Sequence, residues 1–485
     1  MKNSGASSVI LGIDIGTTAC KCVAFDSEFN VVAETQREYP LIHSNGKIEQ
    51  DPEEWWKAVV ETIREISTSL GRVKGIGISS QGITFVPVDK KGNPLMNALT
   101  WLDMRAADQC RKLESDFKPT EVFKKTGKRT SPAYTLPKLI WIKENRPDVY
   151  HDTHKFLLVH DYIINRLCGV FITEDSLAAG TMAYNINKKT WDKDILNSVG
   201  IVFEKLPKIV ASGTIAGKLS EEAAGELGLT TDVKVSTGGQ DQKCAAFGAG
   251  LSDNTATVSL GTSAAITTLY DKPVFTDDMS LPCFPFIDGK SWVVEGFAST
   301  AGASIKWYRD NLAAGRTYKE IDASIKNEYG NAVNNVMFFP YLGGTGSPEW
   351  YDADGGGFAG IGLDTTATHM AMAVLESVAF GIRANIDCME SCGREFSGLS
   401  IFGGGAYSDI WLRIIADVTG KVVRIPEIRQ TACLGAAMKC ASALGAKPIG
   451  EVVVEKTVIP DEDKHLEYIK KYRNYKRVEK NIYGG

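Results

Sequence analysis

The sequence has no apolar run long enough to cross a membrane. A spanning helix needs about 20 mainly apolar residues, and the first hydrophobic run, residues 9–13, is ended by Asp14. With Lys2 as the only basic residue before so short a run, the N-terminal segment also differs from a secretory signal peptide. We therefore expect no membrane partner and a cytoplasmic location.

Excess positive charge is missing too. The chain has 54 lysine and arginine residues against 59 aspartate and glutamate residues, a formal net charge of -5, whereas proteins that bind nucleic acid usually carry clustered positive charge. The ten cysteines form no CxxC pair, so we expect reduced thiols rather than a zinc site. The motifs GxxxxGKS and GxxxxGKT do not occur, which excludes a P-loop kinase. We expect no nucleic-acid partner.

Glycine, by contrast, is plentiful, with 47 of 485 residues grouped at the ends of predicted elements. Strands are predicted at 9–13 and 21–25, joined by a turn, so a hairpin opens the chain. Asp51 has the pattern of a helix N-cap, and strand-like runs follow at 75–79 and 83–88. This alternation of strands and helices predicts an α/β protein, and the length suggests two or three domains.

The most informative pattern is an internal repeat. Residues 13–19 align with residues 258–264, and in both segments a predicted strand runs into a Gly-Thr-Thr or Gly-Thr-Ser turn. The midpoint of the repeat divides the chain into halves of similar size, residues 1–252 and 253–485. The repeat therefore predicts two lobes built on one duplicated module.

The glycine–threonine turns have the chemistry of a phosphate site. Successive backbone N–H groups and hydroxyls in such a turn suit phosphate oxygens, and glycine lets the backbone approach closely. Two turns facing each other would hold a triphosphate from both sides, although each turn taken alone is also consistent with an ordinary hairpin. Asp14 precedes the first turn and is a candidate for holding Mg²⁺ through water, while Lys21 is within reach of phosphate.

Asp241 is the strongest candidate for acid–base chemistry. It follows a predicted strand at 233–236 and precedes a helix-like stretch at 243–247, the position at which open α/β sheets bind ligands. A carboxylate there can accept the proton of a sugar hydroxyl during phosphoryl transfer, while the amides of Gln240 and Gln242 orient neighbouring hydroxyls. The alternative is that Asp241 only caps the helix.

Two later segments complete the pattern. The glycines at 403–405 precede an amphipathic run at 411–418, so a nucleotide could lie against backbone at that helix start. The tail, 464–480, carries Leu466, Ile469 and Tyr472 at helical spacing, and we predict a docked terminal helix with a solvated face rather than a binding arm.

These motifs, taken in order, resemble those of the FGGY carbohydrate kinases, which share the superfamily of actin, Hsp70 and hexokinase. The resemblance runs from about residue 9 to 445 and rests on Asp-x-Gly-Thr-Thr at 14–18, Gly-Gly-x-Asp-Gln at 238–242, Gly-Thr-Ser at 261–263 and Gly-Gly-Gly-Ala-x-Ser-x-x-Trp at 403–411. It implies a two-lobed, actin-like ATPase fold of the ribonuclease H-like type, with a duplicated domain and a nucleotide cleft between the lobes. It also implies a small sugar as substrate, ATP as co-substrate and Mg²⁺ as cofactor. The first half would bind the sugar, and the second half the adenosine.

The resemblance assigns roles position by position. It makes Asp241 the catalytic base and Asp14 the magnesium-associated acid. The residues implied at the transferred phosphate are Gly16, Thr17, Thr18 and Lys21. Those implied around the nucleotide are Gly261, Thr262, Gly302, Lys306, Gly405, Ala406 and Ser408. Those implied at the sugar, besides Asp241, are Gln81, Trp101, Asp103 and Gln242.

The identity of the sugar is less sharply indicated. Glycerol kinases carry Arg-Glu after the glutamine that matches Gln81, and xylulokinases carry Met-His-Gly there, whereas this chain has Gly82 and Ile83. The Trp-Leu-Asp-Met-Arg segment at 101–105, the stretch 173–181 and the overall length look closer to pentulose kinases. A ketopentose, xylulose or ribulose, is therefore the prediction. Glycerol, erythritol, fuculose and gluconate remain alternatives, as does a nucleotide switch similar to actin or Hsp70 that takes no sugar. The oligomeric state stays open, with a homodimer as one arrangement.

Overall fold

The computed structural model of the protein describes residues 8–313, 315–330, 335–353, 355–446 and 452–484. Two large mixed β-sheets, one in each half of the chain, carry most of the helices. Among the described residues, no helix combines the length and the apolar character that a membrane crossing requires.

In the first half, the strands are β1 (Val9–Ile15), β2 (Ala19–Phe25), β3 (Val31–Glu38), β4 (Ile42–Ser44), β5 (Lys47–Gln50), β6 (Val73–Ser80), β7 (Phe85–Val88), β8 (Ala98–Leu99), β9 (Lys155–Leu158), β10 (Ile172–Glu174), β11 (Tyr184–Asn185), β12 (Thr190–Trp191), β13 (Lys208–Val210), β14 (Ile215–Lys218) and β15 (Lys234–Gln240). The helices there are α1 (Pro52–Ser67), α2 (Ala107–Asp116), α3 (Pro119–Thr126), α4 (Thr135–Asn145), α5 (Pro147–Asp152), α6 (Val159–Cys168), α7 (Asp175–Gly180), α8 (Lys193–Ser198), α9 (Glu221–Leu227) and α10 (Asp241–Gly248).

In the second half, the strands are β16 (Thr255–Leu260), β17 (Ala264–Tyr270), β18 (Cys283–Pro285), β19 (Trp292–Ala298), β20 (Met337–Phe339), β21 (Gly357–Ala359), β22 (Gly398–Phe402), β23 (Val422–Pro426) and β24 (Val454–Val458). The helices are α11 (Gly302–Leu312), α12 (Tyr318–Glu328), α13 (Ala367–Ser391), α14 (Asp409–Thr419), α15 (Thr431–Ala443) and α16 (Glu462–Tyr483).

The two large sheets repeat one topology. In the first sheet the order is β3-β2-β1-β6-β15-β14, with β1, β6 and β15 parallel to one another. In the second sheet the order is β18-β19-β17-β16-β22-β23-β24, and β16, β22 and β23 are likewise parallel to one another. The other neighbouring strands in both sheets are antiparallel, and β18 is an additional edge strand of the second sheet. The duplication predicted from the sequence repeat is therefore confirmed. The domain boundary between residues 252 and 253 stays a prediction.

Local signals located the first elements well, with one correction. The predicted hairpin is β1–β2, and the helix predicted at Asp51 is α1, whose N-terminus Asp51 caps by accepting the backbone N–H of Glu53 at 2.9 Å. The strand predicted at 83–88 begins only at Phe85, because Ile83 has a φ of 58°. This left-handed conformation interrupts the extended backbone and is rare for a β-branched residue.

Two helices, α10 and α15, join the halves. Although α15 belongs to the second half in sequence, it packs on β1 and β6 of the first sheet and against α10. The contact brings backbone against backbone: a β-carbon at Gly12 would overlap the carbonyl oxygen of Cys433, and one at Gly435 would overlap that of Cys244. Glycine is required at both positions because any side chain would force the elements apart.

The C-terminal helix, α16, is present as predicted and Tyr472 packs on Phe380, but Leu466 does not lie on the buried face. Leu466 is 57% exposed, whereas Tyr468 and Lys471 are buried. Tyr468 donates a hydrogen bond to Glu376 at 3.0 Å, and Lys471 forms an ion pair with the same carboxylate. A buried carboxylate needs such partners. The helix is therefore held by this polar cluster together with the rings of Tyr468, Tyr472 and Tyr475, which pack on Phe380.

Replacing Gly435 by alanine should destabilise the protein by about 1 to 3 kcal/mol, because α15 must move away from α10 to make room for the new methyl group. Gly225→Ala is a matched control: Gly225 is exposed on α9, and a β-carbon there meets nothing within 4 Å. Alanine in that helix should raise stability by about 0.5 to 1 kcal/mol. Urea unfolding followed by circular dichroism measures both, and equal midpoints for the two variants would contradict the close contact.

Candidate active site

Three adjacent strands of the first sheet end at one edge, where two acidic residues meet. The parallel register of β1, β6 and β15 sets Asp14 beside Ser79 and Ser80 beside Gln240. Asp241 follows as the first residue of α10, close enough to Asp14 for the two charges to interact. Since ligands bind at the carboxyl ends of parallel strands in open α/β sheets, this edge is the candidate site.

The carboxylate of Asp241 is suited to accept a proton. It is half-buried and accepts the backbone N–H of Gln242 at 2.7 Å. Burial raises the pKa of Asp241 to about 7 and the negative charge of Asp14 adds to the rise, while the bond from Gln242 and the charge of Lys243 oppose it. A general base works best with a pKa near the working pH. The cap position of α10 belongs to Gln240, so the structure does not support a role for Asp241 as a mere helix cap.

Asp14 has the surroundings of a metal-associated carboxylate. The hydroxyl of Ser79 donates to it at 2.8 Å. Burial raises the pKa of Asp14, and both that hydrogen bond and the charge of Lys21 lower it. Carboxylate oxygens suit Mg²⁺, which keeps several waters and shares substrate phosphates. Within the described ranges no group of three or more His, Cys, Asp or Glu side chains is arranged to hold a metal, so phosphate and water would supply the other ligands.

A buried lysine behind Asp241 escaped the sequence analysis. Lys243 is fully buried and forms an ion pair with Glu295 of β19 at 2.6 Å. Its Nζ lies 3.4 Å from the centroid of the Phe284 ring, and the Nζ of Lys128 lies 3.3 Å from the same centroid. Burial lowers the pKa of Lys128 to about 7. The Lys243–Glu295 pair ties the helix that carries Asp241 to the second sheet, and a lysine directly after the Gly-Gly-Gln-Asp-Gln run was the available signal.

The first glycine–threonine turn is supported from its flank. The hydroxyl of Tyr39 donates to the carbonyl oxygen of Gly16 at 2.6 Å. Thr18 and Lys21 are exposed, and Lys21 lies across the hairpin from Asp14. The turn, its hydroxyl and the lysine are therefore at the edge that carries both carboxylates.

Two of the predicted sugar contacts, Trp101 and Gln81, belong to one hydrogen-bonded group. The indole N–H of Trp101 donates to the hydroxyl of Thr17 at 3.0 Å, and 37% of this residue is exposed. Gln81 is buried; its amide donates to Gln50 and accepts from Thr84, each at 3.0 Å. Trp101 thus presents an open aromatic surface, while the side chain of Gln81 is engaged inside the protein.

The other two predicted sugar contacts, Asp103 and Gln242, also differ in how far they are buried. Asp103 is fully buried, accepts the backbone N–H of Ile48 at 2.8 Å and pairs with Arg105 at 2.6 Å. Burial raises the pKa of Asp103, but the hydrogen bonds from Arg105 outweigh it and hold that pKa below its ordinary value. Gln242 is half-buried beside Asp241. Gln242 therefore lies at the edge, and Asp103 lies behind it.

The second glycine turn packs on the start of α11. The backbone N–H of Gly302, the first residue of α11, donates to the carbonyl oxygen of Gly261 at 2.8 Å. The next N–H, that of Ala303, donates to the carbonyl oxygen of Thr262 at 3.0 Å. Lys306, one turn along α11, is largely exposed and pairs with Asp310 at 2.6 Å. The structure therefore brings Gly261, Thr262 and Gly302 together, with Lys306 on the adjoining helix.

The third glycine cluster lies against the second turn. A β-carbon at Gly405 would overlap the side chain of Leu260, the last residue of β16. Ala406 is buried, and the hydroxyl of Ser408 caps α14 by accepting the backbone N–H of Trp411 at 3.2 Å. Gly261, Thr262, Gly302 and Gly405 thus lie together at the carboxyl end of β16. Ser408 begins α14, and Lys306 lies on α11 with its side chain paired to Asp310.

Comparison with known proteins covers both halves of the chain. Residues 9–248 match the N-terminal domain, and residues 256–444 the C-terminal domain, of the FGGY family of carbohydrate kinases. Xylulose kinase from Bacillus subtilis is 32% identical over 445 residues, which cover 90% of this chain and 88% of that protein.

Solved structures agree with this assignment. The structure of gluconate kinase from Lactobacillus acidophilus matches with a TM-score of 0.92 and 27% identity over 99% of both chains. Ligand-bound xylulose kinase from the same organism matches with a TM-score of 0.92 and 28% identity over 98% of this chain and 99% of that one. These matches confirm the predicted two-lobed fold. The chain belongs to the FGGY family of carbohydrate kinases and is an ATP-dependent sugar kinase.

Proposed function

We propose that the protein phosphorylates a ketopentose, xylulose or ribulose, with ATP and Mg²⁺. The observation that carries the chemistry is the meeting of Asp14 and Asp241 at one strand edge beside the first glycine–threonine turn. The pentulose is supported by the similarity to xylulose kinases and by the Trp-Leu-Asp-Met-Arg segment at 101–105. Gluconate is a second candidate, since a gluconate kinase structure matches equally well.

In the proposed reaction, Asp241 accepts the proton of a sugar hydroxyl while the hydroxyl oxygen bonds to the γ-phosphorus of ATP. The bond between that phosphorus and the β,γ-bridging oxygen breaks, and ADP leaves with its electron pair. Thr17, Thr18 and Lys21 hold the oxygens of the transferred group. Bound near Asp14, Mg²⁺ would neutralise phosphate charge. Positioning by the two turns supplies the rest of the catalysis.

The proposed sugar pocket lies between Trp101 and Asp241. The exposed ring of Trp101 offers an apolar face to the carbon skeleton of the sugar, and Gln242 offers an amide to its hydroxyls. Gln81 and Asp103 remain predicted contacts, and their buried bonds suit residues that shape the pocket wall.

A sugar panel tests the proposed substrate. With Mg²⁺-ATP, D-xylulose or a ribulose should stimulate ADP release at least tenfold over a sugar-free control in a coupled assay, because the acceptor hydroxyl replaces water in a positioned site. L-Xylulose, L-fuculose, L-rhamnulose, glycerol, erythritol and gluconate complete the panel. If only gluconate stimulates ADP release, the substrate is an aldonate rather than a ketopentose. If the rate of ADP release is the same with every sugar and without any, the nucleotide switch is favoured.

Asp241→Asn should lower kcat at least a hundredfold, since the amide cannot accept the hydroxyl proton. Nucleotide affinity, measured by calorimetry with Mg²⁺-ADP, should stay within about threefold of the parent. Asp277→Asn is the matched control because Asp277 is exposed in the loop between β17 and β18 of the second half. A normal rate in the Asp241 variant would remove Asp241 from the base role.

The pH profile should report the same group. The value of kcat/KM for the sugar should fall as the pH drops through the pKa of Asp241, about 7 without metal, and bound Mg²⁺ should move this fall to lower pH by offsetting the charge of Asp14. Lys243→Met removes a positive charge that lowers the pKa of Asp241, so its acid limb should shift upward by about half a unit or more. Lys243→Arg keeps the charge and is the control. Superimposable profiles for all three proteins would contradict the assignment.

A further inference from the structure

A closed ring of hydrogen bonds links the first glycine–threonine turn to the proposed sugar pocket. The amide of Gln50 donates to the carbonyl oxygen of Thr17 at 2.7 Å and accepts from Gln81 at 3.0 Å. The amide oxygen of Gln81 accepts the hydroxyl of Thr84 at 3.0 Å, and that hydroxyl accepts the backbone N–H of Trp101 at 3.1 Å. The indole N–H of Trp101 closes the ring by donating to the hydroxyl of Thr17 at 3.0 Å.

Most of this ring is shielded from water. Gln50 and Gln81 are each 1% exposed and Thr84 is fully buried, whereas Trp101 is 37% exposed. Hydrogen bonds between buried polar groups are costly to break, because each lost partner leaves a group without water to replace it. The buried hydrogen bonds therefore hold a fixed geometry. The exposed indole of Trp101 is the part of this circuit that a ligand can touch.

The ring of hydrogen bonds fixes the orientation of the peptide group between Thr17 and Thr18. Gln50 holds the carbonyl oxygen of Thr17 towards the protein interior, and in a trans peptide the N–H of Thr18 points the opposite way, towards the outside. The indole of Trp101 occupies an acceptor position on the hydroxyl of Thr17, so that hydroxyl keeps its own proton for another acceptor. The N–H of Thr18 is thereby turned away from the interior before any ligand binds, and the hydroxyl of Thr17 remains able to donate a hydrogen bond.

We propose that Gln50, together with the indole N–H of Trp101, is a positioning residue that presets Thr17 and Thr18 to bind the terminal phosphate of ATP. The inference deepens the proposed function and rests on the phosphate role of this turn. Gln50 touches neither sugar nor nucleotide in this scheme and acts through Thr17. Trp101 belongs both to the proposed sugar pocket and to the ring of hydrogen bonds. A sugar that contacts Trp101 therefore couples sugar binding to phosphate binding through these hydrogen bonds.

Two conservative variants separate this role from a merely structural one. Gln50→Met keeps the length of the side chain and removes both of its bonds, and Trp101→Phe keeps an aromatic ring and removes only the indole N–H. Calorimetry without any sugar compares Mg²⁺-AMP-PNP, which carries a terminal phosphate, with Mg²⁺-ADP, which lacks it. Each variant should lose about three- to tenfold in affinity for AMP-PNP and stay within twofold of the parent for ADP. Asn197→Leu, which removes an exposed amide on α8, is the control.

The outcomes are distinct. Unchanged AMP-PNP affinity in both variants would overturn the inference, and so would an equal loss for AMP-PNP and ADP, which indicates general damage. Should Gln50→Met fail to fold, Trp101→Phe decides alone, because its position is partly exposed. Since no sugar is present, failure of the sugar panel leaves this result standing, and the two proposals fail separately.

Discussion

Two carboxylates at one partly buried edge, Asp14 and Asp241, impose the constraint to which the rest of the site responds. Like charges so placed cannot both ionise at low cost unless a cation joins them or one takes up a proton. Ser79 and Lys21 favour the charged form of Asp14, and Lys243 favours that of Asp241. A cation bound between the two carboxylates would relieve the remaining repulsion, so in the proposed reaction metal binding and ionisation of Asp241 would be linked.

The position of Asp241 depends on contacts from both halves of the protein. Helix α10 begins with this residue, lies against α15, and is tied to the second sheet by the pair between Lys243 and Glu295. The duplicated sheets supply one glycine turn each, at the same place in the topology. A side chain held by contacts from two lobes responds to their relative placement, and closure of lobes over a substrate is a known way to assemble a site and exclude water.

Short-range patterns in the sequence predicted the parts of the site that local chemistry determines. Strand, turn and acid follow one another around Asp14 and Asp241, so their positions at strand ends could be inferred, and the repeat revealed the duplicated sheets. The Lys243–Glu295 pair could not be found in this way because its partners come from different halves. Ile83 resisted prediction because its left-handed backbone is supported from a distance, by a hydrogen bond of 2.9 Å from the hydroxyl of Thr135 to its carbonyl oxygen.

The same limit explains the C-terminal helix. Apolar periodicity favoured the face with Leu466, but the face that docks carries Lys471, whose charge is neutralised by Glu376 from α13. From the sequence alone, both members of a buried ion pair are expected at the surface, because charged residues are mostly exposed. Gln50 was overlooked for a similar reason, since a glutamine at the end of a short strand gives no sign that its side chain connects Thr17 and Gln81.

The placement of α15 has a consequence for the growing chain. This helix covers β1 and β6, with the backbone at Cys433 and Ala436 lying directly on Gly12 and Gly77. During synthesis the first sheet therefore emerges from the ribosome long before its cover, and that face of β1 and β6 stays open until residues 431–443 have been made. A nascent chain that lacks these residues exposes apolar strand surface, which favours aggregation.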